Sequence, residues 1–390
     1  MSPLPGPTGT GTSAARRFAG PPTATVRWTA ARWPGPGPAA EAVVGGVRLD
    51  CPPPRRDDPL LAARLDERLL AWAEEIGLYH GRLERVRDAG FGRLAALCYP
   101  GVETEDLLMV PARCTLAIWA MDDHYCDDPS LGATPGLLGS RLAAASAVLG
   151  RVHLPDRYES AFTAATREDP ALEGLRSAVG HLRRITAPDQ LERTLHTLRT
   201  LFSALAQEAT WRATGHRPRV WEYLVNRQAN SFLPCMTVLD ALGGYRLPAD
   251  VWAHPGVLDA AGTAALAACI ANDIYSAPVE EHTFDGDFNL PRAVREEQRC
   301  TPQEALRISA GLHNELMNRF HQQREHLAHL GGSELRRFLD GVLDWCAGSL
   351  AWHRTAARYH QHSARPDHQT DHQPALQPAF QPSLQDKDRT

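Results

Sequence analysis

Between residues 56 and 360 apolar side chains recur at helical spacing, and nowhere in that span do apolar and polar residues alternate convincingly, as a half-buried strand would require. A chain patterned this way buries its apolar stripes by packing helix on helix. The run opens at Asp57-Asp58-Pro59, an N-cap with a first-turn proline, followed by Leu60, Leu61, Leu65, Leu69, Leu70 and Trp72 at helical spacing. Further helices are predicted over 104–120, 137–149, 158–166, 172–185, 189–214, 220–240, 255–280, 302–327 and 333–360. Pro100-Gly101, Gly243-Gly244 and Gly331-Gly332 separate them as turn or C-cap material. With no internal repeat, the pattern specifies a single all-α domain of roughly ten helices, and bundles of that kind hold metal and ligand sites at their centre, on facing helices.

The termini read differently. Residues 1–55 are dense in Pro, Gly and Ala (Pro34-Gly35-Pro36-Gly37-Pro38 is typical), and 361–390 are rich in Gln, His, Pro and Asp. Neither composition supplies enough apolar surface to fold alone, so both are predicted to be disordered extensions around a 56–360 domain. A formal net charge of −5 without a basic stripe argues against nucleic-acid binding. No uninterrupted apolar run reaches the roughly 18 residues of a membrane span, and the N-terminus lacks the apolar segment of a secretory signal. The eight cysteines are scattered without a C-x-x-C pair, which suits a reducing cytoplasm better than a zinc site or disulfide framework.

Two oxygen-rich clusters lie about 150 residues apart on segments that both read as helices. The first is Asp122-Asp123-His124-Tyr125-Cys126-Asp127-Asp128; the second is Asn272-Asp273-Ile274-Tyr275-Ser276-Ala277-Pro278-Val279-Glu280. Acidic runs are commonly solvated faces or helix N-termini, and Asp127-Asp128-Pro129 alone fits that reading equally well. Asp122-Asp123 differs, because it closes a mostly apolar run containing Leu116, Ile118 and Trp119, and a helix dipole opposes carboxylates at a C-terminal end. In the second cluster Asn272, Ser276 and Glu280 stand at i, i+4 and i+8, one helix face about 12 Å long. Hard oxygen donors of this kind suit Mg²⁺, which keeps waters and takes a few carboxylates plus substrate phosphates. Cys126 is read as a small core-facing residue.

Arg227 precedes Asn272 by 45 residues, and Arg358-Tyr359 closes the helical region, with Arg354 one turn earlier as a competitor. Arginine suits phosphate oxygens, although a lone Arg is more often an exposed charge. Aromatic faces stabilise cations, which makes Trp119 and Trp352 the leading candidates for a cavity lining and Tyr125 and Phe232 weaker ones, against ordinary core packing as the competing reading. Asn230 and Ser231, beside Phe232, are counted with them as substrate-facing residues. An apolar chamber capped by a metal–diphosphate cluster suits ionisation of an allylic diphosphate and shelter of the carbocation.

These motifs resemble those of bacterial class I terpene synthases. Asp122-Asp123-x-x-x-Asp127 is similar to their aspartate-rich motif, Asn272-Asp273-x-x-Ser276-x-x-x-Glu280 to their Asn/Ser/Glu motif, and Arg358-Tyr359 to their C-terminal pair. Arg227 stands where that family carries its diphosphate-sensing arginine, one residue closer to the second motif than usual. The segments 227–235, 243–250 and 313–317, with Asn289-Leu290-Pro291 and Trp352-His353-Arg354-Thr355, look most like the 2-methylisoborneol synthase branch and its 2-methylenebornane relatives. The resemblance implies a Mg²⁺-dependent lyase with three ions: Asp122 and Asp127 holding two, Asp123 orienting, and Asn272, Ser276 and Glu280 holding the third. Arg227, Arg358 and Tyr359 are then the catalytic grip on the diphosphate. The implied substrate is 2-methylgeranyl diphosphate, with farnesyl or geranylgeranyl diphosphate as alternatives. It also leaves room for a homodimer and, as in shell-associated members of the branch, for docking of the N-terminal extension to a protein compartment.

Two departures stand out. Val279 occupies a position where the family carries Lys or Arg, and Pro278 removes a backbone hydrogen bond to Ile274 and is expected to kink the helix near Glu280, where Glu281 could substitute. A chain-elongating prenyltransferase should show two Asp-rich motifs, so the Asn-Ser-Glu composition speaks against it. A weakly active cargo or scaffold protein stays open on the strength of Pro278 and Val279.

Overall fold

Prolines preceded by short polar side chains mark where several helices begin. Asp58 accepts the Leu61 amide at 3.0 Å ahead of Pro59, Asp169 accepts the Ala171 and Leu172 amides ahead of Pro170, and Asn289 accepts the Arg292 amide at 2.9 Å ahead of Leu290-Pro291. The computed structural model describes residues 40–283, 288–330 and 332–359. The expected extension over 1–39 and the tail over 361–390 lie outside the described residues. In chain order the helices are α1 (Pro59–Ile76), α2 (Glu84–Ala89), α3 (Phe91–Cys98), α4 (Glu105–Asp122), α5 (Pro135–Leu149), α6 (Asp156–Glu168), α7 (Pro170–Ile185), α8 (Pro188–Thr214), α9 (Val220–Ala229), α10 (Leu233–Met236), α11 (Leu239–Leu242), α12 (Ala249–Trp252), α13 (Pro255–Thr283), α14 (Leu290–Gln298), α15 (Pro302–Leu330) and α16 (Ser333–His353). The all-α architecture is as expected.

Helix α13 runs through the centre, packed on α15, α16 and α14. Ala260, Ala261, Ala264, Ala265, Ala267, Ala268 and Ala271 are all buried, and side chains this small let neighbours approach from every side. Its Pro255–Pro278 stretch is long and apolar enough to cross a membrane by length and composition, yet 78% of its most apolar window is buried inside the protein. The mean hydropathy here comes from being a core helix. Pro278 does not end α13, which continues to Thr283. Elsewhere helices meet through glycine: a Cβ on Gly348 of α16 would stand 2.5 Å from the Leu97 backbone of α3, so no other residue fits that crossing.

Several local expectations are corrected. Residues 40–51 form an antiparallel hairpin, Ala40–Val44 paired with Val47–Cys51, inside the span expected to be disordered. Gly45 and Gly46 both have positive φ, as a two-residue hairpin turn demands, and Val47, Leu49 and Cys51 alternate into the core. The second strand lies along α15, where Asn314 accepts the Asp50 amide at 2.8 Å and donates to the Arg48 carbonyl at 3.1 Å. Arg56 then closes the end of α3 by donating to the carbonyls of Ala96, Tyr99 and Val102. The span 220–240 is three pieces instead of one helix, broken after Ala229. The last helix stops at His353, and Arg358-Tyr359 sit on a separate 3₁₀ turn, Ala357–Tyr359. Helices α2, α3, α12 and α14 add to those expected.

Candidate active site

Three helices carry an apolar-to-polar gradient into one central cavity, about 1100 Å³ counted out to its open mouth. On α4 the lining runs Thr115, Ile118, Trp119, Asp122; on α8 Leu201, Leu205, Glu208, Arg212; on α13 Cys269, Asn272, Asp273, Ser276. Each set follows the i, i+3/i+4, i+7 rule of a helix face. In each, the residues nearer the C-terminal end are polar, so the polar ends converge at one place and the apolar ends form the chamber. Phe232, Pro234 and Cys235 complete the apolar part from the broken segment after α9, and Asn230, Ser231, Arg358 and Tyr359 join the polar part.

The first acidic cluster is shaped by a π-helical turn, Asp123–Asp127, whose extra residue per turn re-aims the side chains after α4. Asp122 and Asp123 line the cavity. Burial, with Glu208 and Asp123 close by, pushes the Asp122 carboxyl up to about 7, against the pull of Arg212 and Arg227. Asp123 accepts the Tyr79 hydroxyl at 2.7 Å. Asp128 belongs to the scaffold: Arg85 donates to it at 2.6 Å and Ser130 caps onto it. Tyr125 donates to Asp169 at 2.6 Å and packs with Cys126 in the α5–α7–α8 cluster, away from the cavity. The side chains of Asp127, Val279, Glu280 and Glu281 lie outside the described residues.

The facing wall is a closed hydrogen-bond lattice. Arg227 donates to Asp273 through Nε (3.1 Å) and Nη2 (2.8 Å), to Asn272 Oδ1 at 2.9 Å, and through Nη1 to the Asn230 carbonyl at 2.9 Å. Asp273 also accepts the Tyr223 hydroxyl at 2.7 Å and the Leu290 amide at 3.2 Å. Burial disfavours the Arg227 charge, but Asp273, Tyr223, Cys269 and Glu208 together outweigh it and hold the guanidinium well above its ordinary pKa. The Asn272 amide nitrogen donates to His353 Nε2 at 3.0 Å and to the Tyr359 hydroxyl at 2.9 Å. Burial, reinforced by Arg358 and Arg227, pushes His353 down to about 3, so it is neutral. Ser276 donates back to the Asp273 carbonyl at 3.4 Å, which leaves its oxygen as an acceptor toward the cavity.

Arg358, and not the exposed Arg354, reaches the cavity, its guanidinium 4.4 Å from the Trp119 ring centroid. Trp119 therefore serves the wall and Arg358 at once. Trp352 is a correction: it is fully buried behind Trp119, at 6.2 Å between centroids, and donates to the Ala89 carbonyl at 2.8 Å instead of lining the chamber. Sequence reasoning missed Glu208, Arg212, Asp273, Tyr223 and His353. For the first two a signal existed, since Glu208 and Arg212 continue the stripe of Leu201 and Leu205 on an otherwise apolar helix face.

The donor set fits divalent magnesium: carboxylates of Asp122 and Asp123, the Asn272 amide oxygen and the Ser276 hydroxyl surround one polar space, and a buried carboxyl held near 7 is an anion that a cation would relieve. Among the described residues no three His, Cys, Asp or Glu side chains converge as a ready metal cluster.

The family model described as "Terpene synthase family 2, C-terminal metal binding" matches residues 113–319, which contain both motifs. The chain belongs to the bacterial class I terpene synthases. As such it is a magnesium-dependent cyclase that ionises an allylic diphosphate. The 2-methylisoborneol synthase of Saccharopolyspora erythraea is 33% identical over 340 residues, covering 86% of this synthase and 95% of its own length. That of Streptomyces coelicolor is 35% identical over 359 residues, covering 90% and 79%. A crystal structure of the Streptomyces coelicolor enzyme with Mg²⁺ and 2-fluoroneryl diphosphate superposes with a TM-score of 0.77 at 34% identity, covering 81% of this chain and 97% of that one.

Proposed function

We propose that this synthase prefers 2-methylgeranyl diphosphate over geranyl diphosphate and forms a methylated bornane-type product, 2-methylisoborneol where water captures the final cation and a 2-methylenebornane where a proton leaves. The observation that carries this reading is the alignment of 2-methylisoborneol synthases at 33–35% identity across nearly the whole described domain, with both oxygen-rich walls at the same cavity.

In this reading Asp122 and Asp127 hold two magnesium ions, with Asp123 orienting them, and Asn272, Ser276 and Glu280 hold a third. Magnesium bound there supplies positive charge to the leaving diphosphate oxygens. Arg227, Arg358 and Tyr359 grip the diphosphate and draw charge onto the leaving group. Arg212 joins them: it lines the polar end of the cavity, beside Glu208 at 3.9 Å and over the Phe288 ring at 5.5 Å, and it offers the cation that Val279 does not. The chamber of Ile118, Trp119, Leu201, Leu205 and Phe232 presents apolar and aromatic surface to the cation and keeps out water that would trap it early. All eight cysteines are free thiols, in keeping with work in the cytoplasm.

Incubation with C10, 2-methyl-C10, C15 and C20 allylic diphosphates and Mg²⁺, followed by gas chromatography, tests the reading. One methyl in an apolar pocket is worth about 1–3 kcal/mol, so geranyl diphosphate should react at about 10- to 200-fold lower kcat/KM. A higher kcat/KM for farnesyl or geranylgeranyl diphosphate overturns the substrate while leaving the class of reaction intact.

A further inference from the structure

Asn272 has two amide hydrogens, and both are committed, to His353 Nε2 at 3.0 Å and to the Tyr359 hydroxyl oxygen at 2.9 Å. Its oxygen faces the other way and accepts from Arg227 at 2.9 Å. An asparagine amide has two orientations of nearly equal shape that exchange oxygen and nitrogen, and only one of them offers a lone pair to a cation. The neighbours decide between them. His353 Nδ1 lies 2.7 Å from the Ser349 carbonyl oxygen, which only accepts, so Nδ1 carries the proton. Nε2 is then an acceptor, and the atom opposite must donate. With the amide reversed, oxygen would meet the His353 lone pair and the amide nitrogen would meet the Arg227 guanidinium, two repulsive contacts in a buried place.

The imidazole is itself held still. His353 is fully buried, stacked on Tyr275 at 5.5 Å and edge-on to Trp352 at 4.6 Å, with Tyr359 at 5.1 Å. A fixed polarity thus runs from the Ser349 carbonyl through the ring and the amide to the cavity. We propose that His353 is a positioning residue of the synthase, setting the Asn272 amide so that its oxygen faces the magnesium site. The proposal rests on the reading of Asn272 as a metal ligand, and it assigns a task to a side chain that touches neither metal nor substrate.

The wild-type chain labelled with ¹⁵N-histidine gives the first test. The His353 ring, identified by the signal that disappears in His353→Gln, should show the Nδ1–H tautomer; an Nε2–H tautomer overturns the proposal. The second test reads metal affinity by electron paramagnetic resonance, with Mn²⁺ titrated against inorganic diphosphate. Replacing a group that orients a metal ligand costs about 10- to 100-fold in affinity, so His353→Leu should bind Mn²⁺ at least tenfold more weakly. His353→Gln, which keeps an acceptor near the Nε2 position, should recover most of that loss. In an Asn272→Asp background either oxygen faces the metal, so adding His353→Leu should cost nothing further. Equal losses for Leu and Gln, or the same loss in the Asn272→Asp background, would reduce His353 to a packing role. If Asn272→Ala leaves Mn²⁺ affinity unchanged, the ligand reading fails instead; loss in Asn272→Ala with none in His353→Leu removes only the positioning role.

Discussion

Asn272 and Asp273 on α13 meet Arg227, Tyr223, His353, Tyr359 and the Leu290 amide at hydrogen-bond distance, whereas Asp122 across the cavity meets Glu208 and Asp123 as like charges. Both walls are polar, yet the α13 wall is closed by hydrogen bonds between opposite partners, whereas at the end of α4 like charges crowd Asp122 against the pull of Arg212 and Arg227. A satisfied wall holds its geometry before anything binds and loses little on binding. An anionic wall instead stores repulsion that a cation relieves, so that metal binding and closure of the site become one event. The synthase therefore divides the work: α13 provides the template and the end of α4 provides the electrostatic demand.

The severest test of this contrast is Asp273→Ala. Removing one partner of a buried ion pair leaves an uncompensated charge, and Arg227 should then cost about 3–5 kcal/mol of folding stability in urea unfolding, with turnover lost as well. A loss under about 1 kcal/mol would mean that the α13 lattice does not support the wall.

The two walls should also respond to pH with opposite signs. Asp122 is raised in the folded protein from 3.8 to about 7, so the folded state binds its proton more tightly. Its favourable contribution is complete below about 4 and is lost as pH rises through 7. His353 is lowered from 6.5 to about 3, so its contribution is complete above 6.5 and is lost as pH falls toward 3. In the metal-free protein, Asp122→Asn should stabilise the fold at pH 8 by on the order of 1–4 kcal/mol, seen as a higher melting temperature, and abolish turnover. His353→Gln should flatten the acid limb alone. Melting curves from pH 4 to 8 check both, and an Asp122→Asn variant that melts lower at pH 8 contradicts the repulsion argument.

Arg212→Ala should spare folding and lower kcat/KM by roughly 10- to 100-fold, the range expected when a charge-assisted contact of about 1.5–3 kcal/mol is removed. Unchanged kinetics would assign the missing cation to another residue. The smallest effect belongs to Trp352→Phe, which deletes one hydrogen bond to Ala89 and should cost about 1 kcal/mol of stability with the product profile retained. A changed product ratio by gas chromatography would put Trp352 in functional contact with the chamber after all.

Helix period, caps and the order of the two motifs were readable directly, because they are set by residues within one or two turns of each other. The hairpin was readable too: Gly45-Gly46 followed by Val47, Leu49 and Cys51 is a turn signal with period-two burial, but it is short and sits beside a Pro/Gly-rich stretch that overshadows it. The break after Ala229 and the stop at His353 were harder, since tertiary contacts override a pattern that would continue the helix.

The sequence by itself determined that this chain is a helical bundle with an aspartate-rich helix end and an Asn–Ser stripe, because each is a local periodic property of a single helix. Only the tertiary structure decided that Arg227 pairs with Asp273, that Glu208 and Arg212 face Asp122, that Trp352 stands behind Trp119, and that His353 turns the Asn272 amide. Those relations join residues 46 to 233 positions apart, and distance along the chain carries no information about which burial, charge and hydrogen-bond partners packing will impose.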